Sequence, residues 1–121
     1  MDVLKITENV VIIMDYLYTL TNQLLRFIES KAALGLINAK STQIYNTCED
    51  LLKEHGEKSD VVERLKLVKK GATSMIRLSD GIYMFGGSTT IDYNESEKIV
   101  DNMKESIKDI GRILKIELKE N

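Results

Sequence analysis

Along four stretches of this chain, large apolar side chains recur at alternating steps of three and four residues. That spacing becomes a continuous face only on an α-helix. The longest such stretch runs from Ile6 to Ile28. Val10, Ile13, Leu17, Leu20, Leu24 and Phe27 form one stripe, and Val11, Met14, Tyr18, Leu25 and Ile28 form a second beside it. Together they predict a helix with a wide apolar face, Thr7 as its N-cap, and Glu8, Asp15, Thr19, Asn22 and Arg26 on the opposite side. A face this wide calls for two or more helical neighbours.

The next stretches follow the same rule with less sharp ends. Between Lys31 and Lys40, Gly35 can close the first helix, leaving Asn38 or Ser41 to open the second. The second helix then runs to about His55 on Ile37, Ser41, Ile44, Cys48, Leu51 and His55, and Gly56 stops it. Ser59 or Asp60 opens a third helix, with Asp60 and Glu63 in capping-box register and Val61, Leu65, Val68, Ala72 and Met75 as its stripe. Past Leu78 two patterns compete. Met75, Leu78, Ile82 and Phe85 continue the helix, whereas residues 82–85 and 89–93 around Gly86-Gly87 can form a short β-hairpin. The periodicity favours the helix. Asn94 and Glu97 suggest a capping box for a fourth helix, on Val100, Met103, Ile107, Ile110 and Leu114. Its outer face pairs Asp101 with Lys104, Glu105 with Lys108, and Asp109 with Arg112.

The expected fold is therefore all-α, an up-down-up-down four-helix bundle forming one domain over residues 1–121. Composition agrees: none of the 121 residues is proline, 43% are apolar and 30% charged. Taking residues 41–57 and 59–79 as the second and third helices, the charge is −3 on one (one lysine against four acids) and +3 on the other (five bases against two acids), which favours their pairing.

Charge and composition also bound the function. A net charge of −2 weighs against nucleic acid as the general partner. No apolar run reaches the roughly 20 residues a bilayer crossing needs, so no membrane association is expected. Met1–Lys5 lacks a secretory pattern and the single Cys48 fits a reducing compartment, which together point to a cytoplasmic protein. The Lys, Ile, Asn and Glu usage suggests a viral or microbial accessory protein.

Candidate chemistry is sparse. Lys40-Ser41 resembles the end of a phosphate-binding loop, but Ala39 and Leu34 stand where such a loop needs glycine. Cys48 and His55 are two helical turns apart, too far for a nucleophile–base pair and too few for zinc. The pairs Glu54/Glu57 and Glu117/Glu120 lie near helix ends, away from any core stripe. No catalytic residue, metal or cofactor is expected.

Two polar features suggest a ligand. Lys66, Lys70 and Arg77 lie in a row on the third helix, with Thr73 between them. Gly86, Gly87, Ser88 and Thr89 form a flexible, hydroxyl-rich loop before the fourth. A solvated basic face and a plain interhelical connection are the simpler explanations of the two, and the pattern favours them. The wide face of the first helix, with Tyr16, Tyr18, Leu36 and Tyr45, suggests surplus apolar surface. The expectation is thus a non-enzymatic helical interaction protein that forms homo-oligomers and binds a macromolecular partner, in the first place a protein. The alternatives are an oligomer holding a small anionic metabolite or nucleotide at Lys66, Lys70, Arg77 and the 86–89 loop, and an accessory subunit associated with nucleic acid.

Overall fold

In the computed structural model, which describes residues 8–54, 59–85 and 91–120, each periodic stretch is a helix. The helices are α1 (Glu8–Glu29), α2 (Leu34–Glu54), α3 (Asp60–Phe85) and α4 (Tyr93–Leu114). Each packs on the next in sequence, and α4 closes the ring on α1. Among the described residues the diagonal helices do not approach within 8 Å between Cα atoms, so the arrangement is a four-helix bundle. Lys31, just past the end of α1, lies 5.5 Å over the ring of Tyr93 at the start of α4, and this fixes their antiparallel sense.

One core joins all four helices. The α1 residues inside it are Val10, Met14, Leu17, Leu20, Leu24 and Ile28, so the true core row runs between the two stripes read from the sequence. Ile37, Ile44, Cys48 and Leu51 face it from α2. Val61, Leu65, Val68, Ala72 and Met75 face it from α3, and Val100, Met103, Ile107, Ile110 and Leu114 from α4. Each large side chain so buried contributes about 1.5–3 kcal/mol. Three hydroxyls inside the core turn back on their own helices: Thr21 donates to the Leu17 carbonyl (2.9 Å), Ser41 to Ile37 (2.7 Å) and Ser79 to Met75 (2.8 Å).

The helix ends differ most from expectation. Gly35 does not end α1; it sits in the first turn of α2. The stop is Lys31, in the left-handed region at φ 53°. Its N–H donates to the Ile28 carbonyl and that of Ala32 to Phe27, which closes a Schellman motif without glycine. Lys115 does the same for α4 at φ 58°, with N–H bonds from Lys115 to Arg112 and from Ile116 to Gly111. Ser59, one of the two residues considered, caps α3 by accepting from Val62 N–H at 3.1 Å, which places Asp60 and Glu63 in the first turn instead of a capping box. Asp92 caps α4 in place of Asn94, accepting from Glu95 N–H at 3.0 Å. It can do so because Ile91 before it is buried in the core and draws the chain in earlier. The first strand of the hairpin alternative is helical, since α3 runs to Phe85. Thr7, His55 and Gly56 lie outside the described residues.

With the observed bounds α2 gains Lys40 and α3 gains Asp80. The charge contrast narrows to −1 (two lysines against three acids) and +2 (five bases against three acids). It is still expressed at one point, where Lys69 Nζ meets Glu49 Oε2 at 3.1 Å. On α4, Glu105–Lys108 and Asp109–Arg112 pair as expected. Lys104 turns instead to the ring of Tyr18 on α1, at 5.9 Å.

The polar side of α1 also departs from expectation. Thr19 and Asn22 are buried, because the segment after α4 folds back over them. Leu118 packs on Gly111, Lys119 N–H donates to Asp15 Oδ1 (2.9 Å), and Glu120 receives Asn22 Nδ2 (3.0 Å) and Arg26 Nη2 (2.6 Å). The α1–α4 seam is thereby roofed by residues 116–120.

Candidate functional site

Gly71 determines the shape of the α3–α4 seam. A Cβ built at this position would stand 2.4 Å from Cγ and 2.7 Å from Sδ of Met103, so the Met103 side chain occupies the space that glycine leaves open. Beyond this crossing the seam opens outward into a groove of about 520 Å³. The α3 wall is Leu67, Lys70, Gly71 and Ser74, and the α4 wall is Ile99, Asn102, Met103, Glu105, Ser106 and Asp109. Small residues keep the middle open, Ile99 and Met103 line it with apolar surface, and charged residues rim it.

The groove is legible as a second helical row beside each core stripe. On α3 the steps Leu67, Gly71, Ser74, Leu78 are four, three and four. On α4 the steps Ile99, Asn102, Ser106, Asp109, Ile113 are three, four, three and four. Leu67 is 56% exposed and Ile113 42%, high values for side chains of this size. On α3 and α4 this row is weaker than the core stripe because small and polar residues interrupt it, so it does not stand out by apolar periodicity.

Of the ligand residues expected from sequence, the structure brings one to the groove. Lys70 lines it, but Lys66 and Arg77 lie exposed on the outer side of α3. Glu105 and Asp109 share the groove with Lys70, so its charge is mixed. Gly86, Gly87, Ser88 and Thr89 lie outside the described residues. Lys66, Lys70 and Arg77 make no ion pair with another described residue, whereas Arg64 Nε stands 3.7 Å from Asp109 Oδ2 across the seam.

Burial pushes the Cys48 thiol up to about 12, which keeps it protonated and unreactive at neutral pH. The hydrogen bond to Glu49 raises Lys69 above its ordinary value, and the lysine also lies 5.2 Å over the Tyr45 ring. The Arg26 guanidinium holds Glu120 below the usual carboxylate range. Ser41, the hydroxyl of the Lys40-Ser41 pair, is fully buried, and Lys40 lies 5.9 Å over the Phe27 ring, so the phosphate-loop resemblance ends at the two residue names. Among the described residues no group of three or more His, Cys, Asp or Glu could hold a metal, and no helix is long and apolar enough to cross a membrane.

A smaller hollow of about 200 Å³ lies between the start of α2 and the end of α3. Asn38 spans it, donating to Ser79 Oγ (3.0 Å) and to the Ile76 carbonyl (3.2 Å), which makes it a packing feature.

The fold and groove define an all-α four-helix bundle whose α3–α4 seam is open on its outer side. Comparison with protein-family models, curated proteins and solved structures gives no match.

Proposed function

We propose that this protein is a non-enzymatic helical interaction and assembly protein, which self-associates and binds a macromolecular partner through faces that its own core leaves uncovered. The α3–α4 groove carries this proposal. It combines an apolar lining with a charged rim and places Leu67 in solvent at its edge, the composition of an interface core and its border. Further support comes from Ile12 (58% exposed) and Tyr16 (47%), one turn apart on α1, and from Leu36 (52%) on α2. Tyr16 and Leu36 were expected as surplus surface; Tyr18 and Tyr45 instead pack against the core. Light scattering and affinity capture test the proposal together. The expected result is a mass above that of the monomer, or specific retention of a partner that Leu67→Glu abolishes. A chain that stays monomeric and retains nothing refutes it.

A small anionic ligand has narrower support, from Lys70 beside Ser74, Asn102 and Ser106. Glu105 and Asp109 in the same groove oppose an anion. Thermal shift against nucleotides and phosphorylated metabolites should therefore give no response; a shift lost in Lys70→Ala would favour the ligand instead.

A further inference from the structure

We infer that residues 115–120 are a two-state switch: closed, they roof the α1–α4 seam, and open, they continue α4 as helix and leave that seam bare. The switch is independent of the α3–α4 groove and of the interaction role proposed there.

The sequence of this segment favours helix, and its conformation departs from it. Lys115, Glu117, Leu118, Lys119 and Glu120 all belong to the residues that helices favour most, and only Ile116 does not. Yet α4 stops at Leu114, and Lys115 adopts the left-handed conformation at φ 58°, ψ 42°. That conformation crowds Cβ against the following carbonyl, so a residue other than glycine holds it only under constraint. Lys31 shares it, but there the chain has to turn from α1 into α2. At Lys115 the four helices are already in place, so the constraint comes from the contacts of the roof itself.

Those contacts are made at the surface and have a defect. Ile116 and Leu118 are half-buried against the core, Leu118 over Gly111. The far end is held by the bonds from Lys119 N–H to Asp15 and from Asn22 and Arg26 to Glu120. Asn22 gives its Nδ2 to Glu120, but its Oδ1 is buried without a partner. Opening gives that oxygen to water and lets Lys115 return to the helical region. The N–H groups from Lys115 to Glu120 then bond to carbonyls four residues back, and α4 grows by about 9 Å. Opening costs the burial of Ile116 and Leu118. It also brings Lys115 near Lys119 and Glu117 near Glu120, like charges whose repulsion is weak on a solvated helix. Two arrangements that each satisfy what the other gives up form a bistable element, and changes at the hinge or at the contacts shift its populations.

NMR of the full chain tests this. Amide exchange of Lys119 reports opening, because its N–H is bonded to Asp15 in the closed form. The Cα shifts of Ile116 and Glu117 report whether the open form is helix. Leu118→Gln with Glu120→Ala weakens the roof's contacts while keeping residues that favour helix. In that double variant Lys119 should exchange about tenfold faster, and the Ile116 and Glu117 shifts should move from extended to helical values. Lys115→Gly acts the other way, since glycine suits the left-handed hinge and weakens the extended helix. It should slow Lys119 exchange several-fold. That variant keeps every roof contact, so its result stands whatever the double variant does to the bundle. A roof released in the double variant without helical shifts overturns the switch, as does a roof that stays closed in it. Lys119 exchange that is unchanged or faster in Lys115→Gly overturns it equally.

Discussion

Helix α4 makes two seams, and they are finished differently. Against α1 the seam is roofed by the chain itself: Leu118 sits on Gly111, and Lys119 and Glu120 are tied to Asp15, Asn22 and Arg26. Against α3, Gly71 again leaves room for a neighbouring side chain, but no described segment covers the outside, and Leu67 is left in solvent. Both seams use a glycine opposite a flexible side chain. The comparison teaches that a glycine at a helix crossing creates space, and that what occupies this space decides whether the seam is core or surface.

The largest effect that tests this contrast is expected at the two glycines. Gly71→Val drives a branched side chain into buried Met103 and should cost about 2 kcal/mol net of the helix propensity gained, lowering Tm by roughly 5–10 °C. Gly111→Val meets Leu118 at 3.2 Å, in a segment that can lift, and should cost under about 1 kcal/mol. Equal losses in thermal melts would break the comparison, since the roof would then be as unyielding as a helix. Leu118→Ala comes next, at about 1 kcal/mol for a half-buried leucine, with faster proteolysis confined to residues beyond Lys115.

Much of the contrast can be read from sequence, although only after both rows of each helix are followed. The bundle itself was legible because its core rows on α2, α3 and α4 are strictly periodic. Helix ends were less so, because glycine and asparagine were credited with stops and caps that Lys31, Lys115 and Asp92 provide. A lysine in the left-handed region gives no local signal: its conformation is imposed by the two carbonyls that its turn satisfies. Thr19 and Asn22 look solvent-facing by periodicity because their cover comes from about 100 residues away, beyond any local pattern. The ligand row was legible as charge, but whether its three members converge depends on helix rotation; Lys70 reaches the groove and Lys66 and Arg77 do not.

Two smaller tests sharpen the picture of the roofed seam. Lys115→Gly relieves a left-handed lysine and should stabilise the protein by about 0.5–1 kcal/mol, raising Tm by a few degrees. Acid should loosen the roof. Glu120 is held below its ordinary value in the folded state, so its contribution is complete above the usual glutamate range and fades as pH falls through the depressed one. NMR shifts of the Asn22 side-chain amide and the Arg26 guanidinium, which donate to Glu120, should follow that titration and lose it in Glu120→Gln. If they do not move between pH 5 and 2, the Glu120 contacts do not govern the roof.

The roof also bears on the order of assembly. Three of the four helix contacts join consecutive helices, whereas α1 with α4 joins the ends of the ring, and the bonds that roof it span 94 to 104 positions. Closing a loop of that length costs several kcal/mol of chain entropy, so these bonds form only once the earlier helix pairs hold the ends together. Contacts made after the barrier act on the return journey. Residues 116–120 should therefore govern how slowly the folded bundle opens, leaving the rate at which it forms nearly untouched.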